Sequence, residues 1–192
     1  GSGLVQMAAA KAPDRIASLT VLAVAHPAAF AALLPGDLEQ VERSWYIFLL
    51  QRPDLPELLI ANYGLLEHFW RRWSPGWEPD SYAASAMHEA FADPTVIASS
   101  LAYYRRAFDP AGPRWADAAA LLAAPIPTPT LGLAGACDGC VSAELFQKAM
   151  PPEIFKGGCD LEVLSGLGHF LHLEAPATVN RRIVDWLHVR AG

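Results

Sequence analysis

An aspartate and a histidine, each placed directly after an apolar segment, could together carry acid–base chemistry. Asp138 follows the apolar run Thr130–Ala134, and His169 follows Leu161–Leu164 within a Gly-x-Gly-His motif. If these runs are neighbouring strands of one sheet, the carboxylate can accept a hydrogen bond from one ring nitrogen and leave the other nitrogen facing a ligand. The two residues therefore predict the acid–base half of a catalytic triad.

A second histidine competes for the role of base. His172 lies three residues after His169. If Phe170–Leu173 starts a helical turn, His172 points away from the Gly-Leu-Gly loop and is a packing or surface residue. The remaining histidines have no partnered motif, and we interpret them as structural: His26, His68, His88 and His188.

A Cys-x-x-Cys pair, Cys137 and Cys140, flanks the aspartate. Such pairs occur in zinc and redox sites, although a redox pair would normally open a helix after a strand. A zinc site would need two further ligands, and the candidates nearby in the sequence are Cys159, His169 and His172. We expect instead two small, partly buried thiols in a loop, with no disulfide framework, no metal and no organic cofactor.

Both ends of the chain alternate apolar strands with helices. The predicted strands are 16–24, Thr130–Ala134 and Leu161–Leu164, and the predicted helices are Leu4–Ala12, Ala143–Ala149 and Thr178–Val189. Near-continuous apolar strands are typical of a parallel sheet that is covered on both faces. The sequence therefore predicts the α/β class, with core segments at residues 1–26 and 125–192.

The middle of the chain, residues 27–124, has a different pattern. Apolar residues recur at helical spacing, as in Val41, Trp45, Phe48 and Leu49, and several prolines divide the segment into short helices. Five of the six tryptophans lie in it. Because strands and helices alternate again afterwards, we predict an all-helical cap inserted between two strands of one sheet.

The composition excludes several classes of function. A formal charge of −6 and the lack of a basic stripe argue against nucleic-acid binding. The apolar runs are too short to span a bilayer, and no charged segment followed by an apolar one marks a secretory signal. We expect a cytoplasmic protein that binds neither nucleic acid nor membrane. Whether it forms a homo-oligomer stays open.

The C-terminal segments resemble the α/β-hydrolase superfamily. The order of strand, Asp, helix, strand, Gly-x-Gly-His-Phe, Glu174-x-Pro176 and a last helix is similar to the end of that fold, in which the triad runs nucleophile, acid, histidine. A less specific part of the resemblance is Trp73–Trp77 in the cap. The resemblance implies an α/β-hydrolase fold with an inserted cap, Asp138 as the acid and His169 as the base.

The N-terminal segment resembles the part of the epoxide-hydrolase and haloalkane-dehalogenase families that follows their nucleophile. In this fold small residues stand two positions before and after the nucleophile, on a tight turn after a strand. Gly1 fits the later position, whereas Ser2 does not fit as the nucleophile, because Leu4 is too large and no strand precedes it. The resemblance implies an Asp two residues upstream of Gly1, so that this chain lacks the nucleophile and is inactive alone. A Gly-Ser start left by cloning is equally compatible.

Two cap segments resemble those of the epoxide hydrolases and indicate the reaction. Trp45–Pro53 is similar to a segment in which Tyr precedes a Phe/Leu-rich stretch ending in Gln-x-Pro, and Leu101–Arg105 is similar to a segment that supplies a second phenol. The resemblance makes Tyr46 and Tyr104 the donors that stabilise the ring oxygen as it gains charge. Tyr103 should point elsewhere. The alternative is that both tyrosines are core residues.

The resemblance implies a two-step hydrolysis of a small apolar epoxide to a diol through an alkyl-enzyme ester in the intact protein. Three alternatives stay open. The protein could be a haloalkane dehalogenase or an esterase on the same fold, or a ligand-binding α/β-hydrolase without catalytic activity.

Overall fold

The computed structural model describes residues 1–191, and within them three strands and twelve α-helices. The strands are β1 (Leu19–Leu22), β2 (Thr130–Gly135) and β3 (Cys159–Leu164). The helices outside the insertion are α1 (Ser2–Lys11), α10 (Ala143–Lys148), α11 (Leu171–Glu174) and α12 (Pro176–Ala191). The helices between β1 and β2 are α2 (Pro27–Leu33), α3 (Leu38–Arg43), α4 (Trp45–Leu50), α5 (Leu55–Asn62), α6 (Leu65–Trp73), α7 (Ser81–Phe91), α8 (Pro94–Ala107) and α9 (Trp115–Ala123).

The three strands form one parallel sheet in the order β1-β2-β3. Thr130 pairs with Leu19 on one side and with Cys159 on the other, so the three strands start level with one another. All six residues of β2 are buried, because strands flank it on both edges and helices cover both faces. Leu131 and Leu133 pack against a cluster that includes residues of α12. The polar loops that follow β2 and β3 therefore leave the sheet at the same edge.

Strand β1 is shorter than the apolar run 16–24 predicts. Its partner is preceded by Pro125, Pro127 and Pro129, which have no N–H to donate to a ladder. Pairing starts where Leu19 N donates to Pro129 O at 2.9 Å. It ends at Ala23, which still donates to Leu133 O but has a φ of 58°, in the left-handed region. The strand length is thus set by the partner strand and by one backbone turn.

All the secondary-structure elements between β1 and β2 are helices, and no strand lies in residues 27–124 of the described chain. Polar side chains start several of these helices: His26 Nδ1 accepts from Ala29 N at the start of α2, and the Asp37 carboxylate accepts from Gln40 N at the start of α3. The predicted α/β class with an inserted helical cap is confirmed.

The cap and the sheet share one hydrophobic core. The core includes Val21 of β1, Tyr46 of α4, Phe69 of α6 and Leu101 of α8, which is 1% exposed. Because these side chains pack in one buried cluster, the cap lies on the sheet as a second layer of the same unit. No helix among the described residues is long and apolar enough to cross a bilayer.

Candidate active site

Asp138 lies in the loop after β2, residues 136–142, which we call the Asp138 loop. Its side chain is 1% exposed and accepts three hydrogen bonds. Oδ1 accepts from Cys140 N at 2.7 Å and from Val141 N at 3.0 Å, and Oδ2 lies 2.9 Å from His169 Nδ1. The backbone amides and the ring together hold the carboxylate in one orientation, as expected for a buried carboxylate that orients a histidine.

His169 lies in the loop after β3, residues 165–170, which we call the His169 loop. The turn begins at Gly166, whose φ of 74° favours glycine. The hydrogen bond between Nδ1 and Asp138 leaves Nε2 as the nitrogen able to exchange a proton with a ligand or water. The side chain is 13% exposed, so the ring is mostly shielded but still reachable.

His172, the alternative base, lies on α11 and is exposed. The aspartate oxygen that the base would need is bonded to His169 instead. Partial desolvation and the nearby His169 lower the pKa of His172, against a smaller opposing effect of Glu174. The geometry therefore favours His169 over His172.

The two loops touch through backbone atoms. Cys137 N donates to Leu167 O at 2.8 Å. A Cβ on Gly135 would lie 2.2 Å from Gly168 O, so this close approach requires glycine at position 135. The last residue of β2 thus sets the spacing at which the aspartate meets the histidine.

Tyr46 on α4 and Tyr104 on α8 lie side by side, with ring centroids 6.1 Å apart and nearly perpendicular. The Cys140 thiol donates to Tyr46 Oη at 3.5 Å. Burial raises the pKa of Tyr104 to about 12. Burial also raises the pKa of Tyr46 well above its usual value, and the neighbouring Cys140 and Tyr104 add a smaller effect in the same direction. Both phenols are therefore neutral at physiological pH and able to donate a hydrogen bond.

Tyr103, the residue before Tyr104 on α8, lies nearer the surface. Its hydroxyl lies 4.0 Å from the place where a Cβ on Gly3 would stand, next to α1, and the residue is 45% exposed. Its ring nevertheless contacts that of Tyr104, with centroids 5.7 Å apart and nearly perpendicular, so Tyr104 packs between Tyr103 and Tyr46.

Trp73, the last residue of α6, lies between Tyr46 and His169. Its ring centroid lies 4.9 Å from that of Tyr46 and 5.2 Å from that of His169. The indole Nε1 is buried and has no hydrogen-bond partner among the described residues, which leaves a donor available to a ligand oxygen.

Two cavities of about 90 and 230 Å³ lie elsewhere in the cap, the first between α6 and α7 and the second between α5, α7 and α8. Neither cavity is lined by Tyr46, Tyr104 or His169.

The cysteines do not behave as a pair, because Cys137 is exposed and Cys140 is buried. Among the described residues, Asp138, Cys140 and His169 place potential metal-ligand atoms within 4.8 Å of one another. A metal there would replace the hydrogen bond between Asp138 and His169. It would also need to deprotonate a thiol whose pKa is raised by burial and by the nearby carboxylate. The cluster fits a hydrogen-bonded arrangement better than a metal site.

Two polar residues of α3 that sequence reasoning missed hold the Asp138 loop. Gln40 Nε2 donates to Cys140 O at 2.7 Å, and its Oε1 accepts from Ser142 N at 2.9 Å. Arg43 Nη1 donates to Asp138 O at 2.8 Å. Both contacts span about a hundred positions of the sequence, and a helical Gln or Arg carries no local pattern that would have indicated them.

Comparison with solved structures identifies the fold. A proposed acyltransferase from Salmonella enterica is 23% identical with a TM-score of 0.77, over 98% of this chain and 62% of that one. A proposed α/β-hydrolase from Nostoc sp. PCC 7120 is 24% identical with a TM-score of 0.77, over 97% and 63%. An epoxide hydrolase from Bacillus megaterium, in complex with an inhibitor, is 16% identical with a TM-score of 0.73, over 98% and 66%.

The chain therefore has the α/β-hydrolase fold and spans a little under two thirds of the length of these structures. No protein-family model and no curated protein matches the sequence significantly. At these identities the likeness establishes the fold, and the reaction must be argued from the site.

Proposed function

We propose that the intact protein is an epoxide hydrolase that converts a small apolar epoxide to a vicinal diol. The observation that carries this proposal is the combination of a hydrogen-bonded Asp138–His169 pair with two neighbouring, neutral phenols, of which Tyr46 is separated from His169 by the Trp73 ring. The acid–base pair alone would suit many reactions on this fold. Paired phenol donors suit a substrate whose oxygen gains charge without leaving the molecule.

In the first step, the carboxylate of an Asp outside the printed sequence, two positions before Gly1, attacks one epoxide carbon. A new C–O ester bond forms, and the ring C–O bond breaks with its electron pair going to the ring oxygen. Tyr46 and Tyr104 donate hydrogen bonds to that oxygen, which takes a proton from solvent and ends as a hydroxyl. Their raised pKa values keep both phenols protonated for this role.

In the second step, His169 Nε2 takes a proton from water as the water attacks the ester carbonyl. The imidazolium that forms is stabilised by the buried Asp138 carboxylate at Nδ1. The intermediate then collapses: the bond between the carbonyl carbon and the alkyl oxygen breaks, and that oxygen takes the proton from the imidazolium to give the diol. The regenerated acid loses its proton to solvent, which restores the nucleophilic carboxylate. No metal or organic cofactor takes part in either step.

Single-turnover kinetics on the full-length protein test the roles of the phenols. Tyr46→Phe and Tyr104→Phe should each slow ester formation by about 10²-fold or more, the effect of losing one oxyanion donor, and change ester hydrolysis much less. Tyr82→Phe is the control, because Tyr82 lies on α7 and is 82% exposed. If Tyr104→Phe forms the ester at the wild-type rate, the epoxide-hydrolase assignment is wrong.

A second comparison tests the role of the upstream segment. We expect the printed chain to show no turnover, and the same chain extended to include the upstream Asp to form a covalent ester with an epoxide. A Ser at that position, together with turnover of simple esters, would instead support an esterase. Ligand binding by the full-length protein without turnover of epoxides, esters or haloalkanes would support a binding protein.

A further inference from the structure

The end of α6 lies between the Asp138 loop and the His169 loop. Trp73 O accepts from Gly139 N and from His169 N, each at 3.0 Å. One carbonyl of the cap therefore joins the residue after the aspartate to the histidine itself. The proposed reaction assigns no role to this segment, although Trp73–Trp77 is part of the sequence resemblance.

Ser74 extends this contact along the His169 loop. The residue is fully buried, and its Oγ donates to Glu174 Oε1 at 2.6 Å and accepts from Phe170 N at 3.1 Å. Glu174 Oε2 accepts from Gly168 N at 2.7 Å. Three consecutive backbone amides around the histidine thus donate to Glu174, Trp73 and Ser74 in turn.

The packing leaves this arrangement little room to move. A Cβ on Gly168 would lie 2.5 Å from Ser74 Cα, and a Cβ on Gly139 would lie 1.8 Å from Arg72 O. Glycine at both positions lets the loops reach the cap backbone directly. The place of a histidine ring depends on its backbone as well as on its rotamer, so fixing these amides limits where the His169 ring can lie relative to Asp138.

We propose that Ser74, acting with Glu174, is a positioning residue that holds His169 in reach of Asp138. This inference rests on the proposed role of His169 as the base. Without the Ser74 hydroxyl, Phe170 N–H and Glu174 Oε1 both lose their partner, and Glu174 no longer bridges Gly168 to the cap. The His169 ring then samples positions in which Nδ1 is not bonded to Asp138, and the reaction that needs this contact slows.

The test uses full-length protein with ¹⁵N-labelled histidine, in which the ring signals of His169 are assigned with His172→Gln as reference. Ser74→Ala should weaken the hydrogen-bonded Nδ1–H signal of His169 and speed its exchange with solvent. In single turnover it should slow ester hydrolysis about 10- to 100-fold, the scale of a small misplacement of a reacting group, with ester formation little changed.

Two sets of variants separate positioning from general loss of structure. Glu174→Gln keeps an acceptor for Gly168 N and should stay closer to wild type than Glu174→Ala. The effects of Ser74→Ala and Glu174→Ala should be far from additive, because each removes the same link. Ser85→Ala is the matched control, since Ser85 Oγ donates to Glu89 Oε1 at 3.1 Å on the exposed face of α7.

Wild-type His169 signals in Ser74→Ala, at a temperature where the variant is folded, would overturn the proposal, even if the melting temperature fell. Unchanged ester hydrolysis would overturn it as well. If the His169 signals change as expected but the wild-type protein hydrolyses no epoxide, the positioning role stands and the proposed reaction fails.

Discussion

Replacing Asp138 by Asn separates the electrostatic role of this carboxylate from its role in folding. Asn keeps one oxygen that can accept from Cys140 N and Val141 N, the two backbone contacts of the present carboxylate. The side-chain NH₂ must then face His169 Nδ1, which currently lies 2.9 Å from Oδ2. A donor in that place forces the ring to carry its proton on Nε2, the nitrogen that should accept a proton from water.

The expected loss of rate follows from the wrong tautomer. In serine proteases the same substitution lowers kcat by about 10⁴-fold with the geometry intact, and we expect on the order of 10³- to 10⁴-fold for ester hydrolysis here. Stability should change by less than about 1 kcal/mol, because both buried amides keep an acceptor. Asp138→Ala should cost roughly 2–6 kcal/mol, since it leaves two buried amides unpaired at about 1–3 kcal/mol each.

Mass spectrometry of the full-length variant mixed with an epoxide measures the outcome. Asp138→Asn should form the ester and accumulate it, because only the second step needs the base. Asp37→Asn is the control, since Asp37 accepts one backbone N–H at the start of α3 and Asn caps helices equally well. Hydrolysis of the ester within about tenfold of the wild-type rate would refute the reasoning.

Two further predictions concern stability. Burial lowers the pKa of His26 in the folded protein below its usual 6.5. As the pH drops, His26 is therefore protonated in the unfolded chain before it is protonated in the folded one. The free energy of unfolding should fall as the pH drops below about 6.5. Protonation of Nδ1 would also remove the acceptor of Ala29 N, so His26→Gln should flatten the loss between about pH 6.5 and 5 in denaturant titrations. Leu101→Ala should lower the free energy of unfolding by about 2–5 kcal/mol, because Leu101 is 1% exposed in the shared core. Leu38→Ala, at a 76% exposed position, should stay within about 0.5 kcal/mol, and equal losses at the two positions would contradict the shared core.

The fold and the placement of Asp138 and His169 could be predicted because their evidence is local. An apolar run followed at once by a polar loop marks the end of a buried strand, and parallel strands bring such ends to one edge. For this reason the predicted strand Thr130–Ala134 agrees with the observed strand Thr130–Gly135 to within one residue. The hydrogen bond between Asp138 and His169 follows from the same geometry.

What could not be predicted depends on contacts between distant segments. The length of β1 depends on Pro129, which directly precedes β2, and the role of Gln40 depends on a loop about a hundred positions away. Ser74 carries a fully buried hydroxyl, but a Ser before a Pro has the ordinary pattern of a turn. Only the folded chain shows that its partners are Phe170 N and Glu174.

The point of insertion explains why the cap is part of this site. The chain leaves the sheet for the cap just after β1, at the edge from which the Asp138 loop and the His169 loop also emerge. A helical layer starting there must cover those loops, and their backbone groups then need partners from it. Arg43 and the end of α6 supply them, while Tyr46 and Tyr104 come from other helices of the same layer. In the proposed enzyme, substitutions at cap positions near the phenols should therefore alter which substrates are preferred. Substitutions that remove the contacts of Arg43 or Ser74 should instead reduce the rate for every substrate.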